Sequence, residues 1–284
     1  MSDFVTIFEM GPRDGLQNEK KHISTSDKIK LVDMLSDCGF KKIEVTSFVS
    51  PKWVPQMADA AEVLAGIVRR ENISYAALTP NLRGYEGARA AKTNEVAIFA
   101  SASEGFSQKN INCSIAESIE RFKPVLEAAK ADGMPVRGYV SCVTDCPYDG
   151  PTAPEAVVRV ATQLLDLGCY EISLGDTIGA AAPETTSLML EAVLALVPAN
   201  KLAGHFHDTK GRAIDNIEVC LGYGIRTFDA AVGGLGGCPY APGAKGNVAT
   251  EAVVEMLVAK GFTTGIDAGK LSKASSFALS LKGQ

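Results

Sequence analysis

The sequence predicts an α/β fold: a closed (β/α)8 TIM barrel with a short C-terminal helical extension. Three observations predict it. Eight short β-branched runs alternate with longer amphipathic stretches. The length of 284 residues matches one eight-fold barrel. An open doubly wound sheet would ordinarily carry G-x-G-x-x-G after its first strand, and Gly-Pro-Arg-Asp-Gly stands there instead.

In chain order the strands are expected at 4–8, 42–46, 74–78, 95–99, 136–141, 170–174, 202–206 and 227–231. Between them, apolar residues recur at helical spacing over 26–38, 58–70, 115–131, 154–167, 184–196, 214–223 and 249–260. Ser24 or Ser26, and Ser114, fit helix N-caps; Gly39, Gly133, Gly168 and Gly224 fit helix stops. No repeat, low-complexity tract or linker divides the chain. One domain over 1–284 is expected, with the barrel at about 4–262 and a helical tail at about 265–284.

Hydrophobic residues make up 46% and charged residues 21%, the balance of an ordinary globular protein. A net charge of −5 gives no reason to expect nucleic acid or an anionic membrane as partner. An anionic ligand must therefore be met locally, by a few placed basic groups. The first residues lack a basic region and a long apolar run, so no secretory signal is expected, and no stretch is apolar enough for a membrane span. Seven scattered cysteines fit reduced intracellular thiols, and the expected location is cytoplasmic. Cys142 and Cys146 have no second Cys or His pair nearby, which makes them a poor zinc site.

The polar residues that do not belong in a barrel core gather at strand ends, where barrel chemistry takes place. His205 and His207 stand two apart on the seventh strand, so both imidazoles project from one face toward a common point. That pairing, followed by Asp208, suggests half of a divalent-metal site. Arg13 and Asp14 follow the first strand. Glu44 lies in an otherwise apolar run, where a carboxylate needs a partner, and Arg13 at the neighbouring strand end can supply one. Asp176 follows the sixth strand, a position that also suits a cap. Asn247 and Glu251 follow the eighth.

The stretch 233–243 carries five glycines, Gly233, Gly234, Gly236, Gly237 and Gly243, together with Cys238. It lacks the Lys-Ser/Thr ending of a phosphate loop and suits a lid that carries one reactive thiol.

Several segments together resemble one family. Gly-Pro-Arg-Asp-Gly-Leu-Gln-Asn-Glu-Lys, Thr-Ser-Phe-Val-Ser-Pro-Lys-Trp-Val-Pro-Gln-Met, Ser-Gln-Lys-Asn-Ile-Asn-Cys-Ser, Gly-Tyr-Val-Ser-Cys and Gly-Gly-Leu-Gly-Gly-Cys-Pro-Tyr-Ala are similar to the 3-hydroxy-3-methylglutaryl-CoA lyases. The resemblance runs from about Phe8 to Lys260. It implies metal ligation by Asp14, His205, His207 and Asn247. It also implies that Arg13 holds the thioester carbonyl and that Cys238 acts from the lid. Glu44, Asp176 and Glu251 match supporting polar residues, and Gln17, Ser47, Arg137 and Tyr139 match positions near substrate. Lys20, Lys21 and Lys109 are candidates for the CoA phosphates. Lys210 and Phe206 depart from the family pattern, and Lys210 near the rim leaves acyl specificity open.

The reaction so implied is retro-Claisen cleavage of (S)-3-hydroxy-3-methylglutaryl-CoA to acetoacetate and acetyl-CoA. Four mixed N and O ligands leave two octahedral positions free, which favours Mg²⁺ or Mn²⁺ over a closed structural zinc. Asp14 and His205 are both candidates for the base. Rival readings are a lyase for a related branched 3-hydroxyacyl-CoA, a condensing synthase of the isopropylmalate or homocitrate type, an aldolase of free 4-hydroxy-2-keto acids and an inactive binding barrel. Expected partners are an acyl-CoA substrate and, by family analogy, a second copy in a homodimer.

Overall fold

The computed structural model describes residues 3–236 and 246–282. Among them, eight parallel strands close into a barrel: β1 Thr6–Glu9, β2 Lys42–Ser47, β3 Ser74–Leu78, β4 Glu95–Ser101, β5 Val136–Ser141, β6 Glu171–Asp176, β7 Leu202–Phe206 and β8 Thr227–Ala230. Each pairs with its neighbours in chain order, and β1 pairs with both β2 and β8, so no edge is left open. The fold is the expected TIM barrel.

The helices follow from their sequences. α1 Thr25–Ser36 begins at Ser24, whose hydroxyl accepts from Asp27 N at 3.1 Å. α2 Ala60–Gly66 is shorter than the expected 58–70, because Ile67 turns extended and Val68 N donates to Asp33 Oδ1 at 2.7 Å instead of continuing the helix. α5 Ile115–Asp132 starts on a capping box of Ser114 and Glu117 and stops at Gly133, which takes the left-handed conformation at φ 69°. α6 Pro154–Asp166, α7 Pro183–Leu194, α8 Ala213–Gly222 and α9 Thr250–Ala259 occupy the expected segments, and α10 Ala268–Leu281 forms the tail.

Two helices went unforeseen, α3 Leu82–Ala90 and α4 Glu104–Ile111. α3 contains Gly84 and Gly87, poor helix formers that are needed because Phe48 packs against them: a Cβ on Gly87 would meet the Phe48 ring at 2.7 Å. α4 is polar and is pinned at its start, where Ser103 Oγ and Gly105 N both donate to Asp149 Oδ2. Asp149 belongs to a short hairpin that pairs Asp145–Cys146 with Gly150–Pro151. Cys146 is buried there, and its Sγ lies 2.9 Å from Ser103 Oγ.

The main core lies between strands and helices, with a smaller cluster of Phe8, Met10, Ala76, Leu78, Ala97 and Tyr139 filling the barrel interior. The register of β2 shifts between Glu44 and Thr46, placing Glu44 beside Ala76 and Ser47 beside Leu78. A bulge thus turns both polar side chains inward, where simple alternation would separate them.

Candidate active site at the C-terminal rim

Immediately after β1 the chain makes one π-helical turn, Gly11–Gly15, which carries Arg13 and Asp14. Such turns are rare and often mark functional positions. Pro12 enters it with φ already set. Gly11 and Gly15 are required by close approach: a Cβ on Gly11 would lie 2.6 Å from Glu9 Oε1, and one on Gly15 2.6 Å from Leu235 Cβ. Glu9 anchors the turn. Its Oε1 accepts from Gly11 N at 2.7 Å and Val232 N at 2.9 Å, and its Oε2 accepts from Thr250 Oγ1 at 2.7 Å.

Arg13 Nε donates to Glu44 Oε2, and Nη1 donates to Asp14 Oδ1 at 2.7 Å. Its guanidinium carbon lies 5.6 Å from the centre of the Tyr139 ring. Burial works against its charge, but the Glu44 and Asp14 carboxylates reverse that effect and raise its pKa. Glu44 is wholly buried, and burial raises its pKa against the pull of Arg13. Tyr139 OH donates to Glu44 Oε1 at 3.1 Å. The expected Arg13–Glu44 partnership is present.

Asp14, His205 and His207 bring ligand atoms within 4.8 Å of one another. Burial alone would raise the Asp14 pKa, but Arg13, the two imidazoles and a hydrogen bond from Asn247 hold it at about 2. Asn247 Nδ2 donates to Asp14 Oδ2 at 2.7 Å and Gln17 Nε2 to Asp14 Oδ1 at 2.9 Å. His207 is pushed down to about 4 by burial and by neighbouring His205, and its Nδ1 is buried without a hydrogen-bond partner among the described residues. An ionised carboxylate beside a neutral imidazole with an orphaned nitrogen suits a divalent cation. Ligation through Asn247 Oδ1 would require its amide to make a half-turn, since Nδ2 faces Asp14.

The cluster sits at the base of a cavity of about 1000 Å³. Arg13, Asp14, Gln17, Tyr139, His205, His207 and Lys109 all line it. Leu78, Phe99, Phe106 and Phe122 give it apolar walls.

Other residues marked in the sequence lie elsewhere. Ser47 and Arg137 are buried in the barrel outside the cavity lining, and Ser47 Oγ has no hydrogen-bond partner among the described residues. Asp176 caps the turn after β6, accepting from Ala180 N at 3.0 Å and Ala181 N at 3.1 Å; burial raises its pKa to about 6. Glu251 holds the segment after β8 through Gly233 N at 3.0 Å. Lys20 and Lys21 are exposed and do not line the cavity, nor does Lys210. Cys238 lies outside the described residues.

Three polar residues that build this site were missed in the sequence: Glu9, Ser173 and Asp229. Each is buried in a barrel strand. The signal that marked Glu44, a carboxylate inside an apolar run, applied equally to Glu9 and to Asp229 in Thr-Phe-Asp-Ala-Ala.

Barrel and rim together define the class: a (β/α)8 enzyme scaffold with a candidate metal centre where its first, seventh and last strand ends meet. The chain belongs to the HMGL-like family, which matches residues 4–278. It is 58% identical over 263 residues to a 3-hydroxy-3-isohexenylglutaryl-CoA/hydroxy-methylglutaryl-CoA lyase of Pseudomonas aeruginosa, covering 93% of this chain and 88% of the relative. Its fold superposes on the HMG-CoA lyase crystal structure from Brucella melitensis with a TM-score of 0.98 and 61% identity over 99% of both chains. An Acinetobacter baumannii HMG-CoA lyase structure, in complex with coenzyme A and 3-methylmalate, matches with a TM-score of 0.94 and 38% identity, covering 99% of this chain and 92% of that one.

Proposed function

We infer that this chain cleaves 3-hydroxy-3-methylglutaryl-CoA to acetoacetate and acetyl-CoA. The observation that carries the reading is Arg13 held beside the Asp14–His205–His207 cluster at the base of the cavity, in a chain of this family. In the reaction the C2–C3 bond breaks, the C3 hydroxyl gives up its proton, and the electron pair passes to C2 as a thioester enolate that is then protonated.

A divalent cation, Mg²⁺ or Mn²⁺, held by Asp14, His205, His207 and Asn247 would act as Lewis acid on the substrate's oxygens. Arg13 supplies fixed positive charge for the enolate oxygen. Its Nε and Nη1 are committed to Glu44 and Asp14, while Nη2 has no hydrogen bond to the described residues and Arg13 faces the cavity. A preoriented donor of this kind contributes about 3–4 kcal/mol to a barrier. Cys238 is assigned to protonation of C2. Tyr139 and Gln17 shape the substrate side, Ser47 and Arg137 support it from beneath, and Asp176 and Glu251 hold the rim segments.

The cavity, with Lys109 in its lining, suits the CoA arm. Lys20 and Lys21 are assigned to CoA phosphates beyond the lining. We further assign the chain to the cytoplasm and to a homodimer. Among the described residues no helix is long and apolar enough to cross a membrane.

The test is acetoacetate release from 3-hydroxy-3-methylglutaryl-CoA with Mg²⁺ or Mn²⁺, repeated after EDTA. Release that EDTA abolishes supports both reaction and cofactor; no release from folded, metal-loaded protein refutes the substrate. A second reading, a related branched 3-hydroxyacyl-CoA, draws on the apolar walls formed by Leu78, Phe99 and Phe122. Turnover of the 3-isohexenyl thioester at comparable kcat/KM would support it.

A further inference from the structure

We propose that Asp229 is a positioning residue: it fixes His205 as the Nδ1–H tautomer and so turns Nε2 of that ring toward Asp14. The proposal rests on the reading of Asp14, His205 and His207 as ligands to a divalent cation.

The arrangement begins in the sheet. β7 and β8 are neighbours, and Asp229 stands in register with His205, so their inward side chains are adjacent. His205 Nδ1 lies 3.1 Å from Asp229 Oδ2, and His205 Nε2 lies 4.0 Å from Asp14 Oδ2. The ring is therefore slung between two carboxylates, one below in the barrel and one at the rim.

The other groups around Asp229 decide which nitrogen carries the hydrogen. Ser173 Oγ donates to Asp229 Oδ2 at 2.7 Å, Arg137 Nη1 donates to the same oxygen at 3.0 Å, and Arg137 Nη2 lies 2.8 Å from Oδ1. A guanidinium has only donors and keeps its charge, so a carboxylate facing it stays an acceptor. A third neighbour can join that carboxylate only by donating. His205 Nδ1 must then bear hydrogen, so in the neutral ring the lone pair lies on Nε2, on the cavity side.

Asp229 is itself held rigidly. Arg137 Nε donates to Glu171 Oε2 at 2.8 Å, and its guanidinium carbon lies 4.6 Å from the Phe8 ring centre and 5.2 Å from that of Tyr139. If Asp229 served only to neutralise Arg137, no third donor would be needed on Oδ2, and Glu171 already pairs with that arginine. A carboxylate that orients a metal-binding imidazole through its far nitrogen is a recurrent way to fix tautomer and ring direction.

The experiment uses the whole chain with ¹⁵N-labelled histidine. Only three histidines are present, His22, His205 and His207, so long-range ¹H–¹⁵N spectra at alkaline pH can report each ring's tautomer without metal. His205 is expected as Nδ1–H in the wild type and as a mixture in Asp229→Asn. Mn²⁺ titration of the same proteins should show affinity falling about 10–100-fold in Asp229→Asn. Ser173→Ala, which spares the carboxylate, should keep the tautomer and bind Mn²⁺ more tightly than Asp229→Asn does.

An Nε2–H ring in the wild type overturns the proposal, even if Asp229→Asn does not fold. Wild-type Mn²⁺ affinity in a folded Asp229→Asn also overturns it. Failure of the wild type to bind Mn²⁺ would instead refute the metal reading, while its metal-free spectrum still decides the orientation.

Discussion

Asn247 Nδ2 donates to Asp14 Oδ2 across 2.7 Å, joining two residues 233 positions apart. The same amide donates to Leu235 O at 3.2 Å, and the backbone around Asn247 pairs with His207 in an isolated bridge. The rim segment after the last strand is thereby fastened to both the turn after the first strand and the end of the seventh. The candidate centre forms only where the barrel has closed.

Asn247→Ala should consequently act on the site more than on the fold. The substitution removes two hydrogen bonds, and the one to the charged Asp14 alone is worth about 1.5–3 kcal/mol of stability. Mn²⁺ affinity should fall by at least tenfold, on the order expected for loss of a ligand or its support. Calorimetric Mn²⁺ titration beside urea unfolding checks both, and unchanged affinity would remove Asn247 from the ligand set.

Arg13→Lys replaces a planar fork with a point charge, which cannot hold Glu44 and Asp14 and also face the cavity. We expect kcat to drop by about 10²–10³ with Mn²⁺ affinity changed only a few-fold. Steady-state kinetics with saturating metal would show it. Near-normal kcat would end the enolate role.

Gly236 adopts φ +95°, and a Cβ there would stand 2.7 Å from Asn247 Nδ2 and 3.2 Å from Asp14 O. Gly133 is also left-handed, at φ +69°, but faces open space. Gly133→Ala should cost only the conformational strain, about 1–2 kcal/mol, with metal binding intact. Gly236→Ala should lower both stability and Mn²⁺ affinity, because its neighbours are parts of the centre. Equal metal affinities in the two variants would mean the Asn247 contact is dispensable.

Glu9 makes a contribution to the pH dependence of stability that one substitution can isolate. Burial, only partly offset by its hydrogen bonds, lifts its pKa from 4.5 to about 7. Both states carry the proton well below pH 4.5, and only the unfolded state loses it readily between there and about 7. Stability from this group is therefore lost as pH rises through that window, on the order of 3 kcal/mol in full. The unfolding free energy of the wild type relative to Glu9→Gln should therefore fall across the same window. Parallel urea-unfolding curves for both proteins over a pH series would contradict this.

Much of this was legible in the sequence. Alternating runs announced the barrel, and the 205/207 spacing placed two imidazoles on one face before any contact was known. Arg13 was matched to Glu44 because a carboxylate in an apolar run demands a cation. The α3 and α4 helices were not legible. Glycine and polar content argue against them locally, and packing on Phe48 or tethering to Asp149 outweighs that preference. The cap role that suits the position of Asp176 is present, its carboxylate accepting from two backbone N–H groups of the turn after β6.

What the sequence determined by itself was periodicity and chemistry: which runs become strands, and which residue types are out of place in a core. Those depend on neighbours within a few positions, where backbone geometry is nearly fixed. Only the tertiary structure decided that Glu44 and Ser47 both face inward, through a bulge that breaks alternation. Only it decided that Asp229 stands beside His205 and that Asn247 meets Asp14. Those relations join residues from different strands, and they follow from barrel closure and register, which no local pattern encodes.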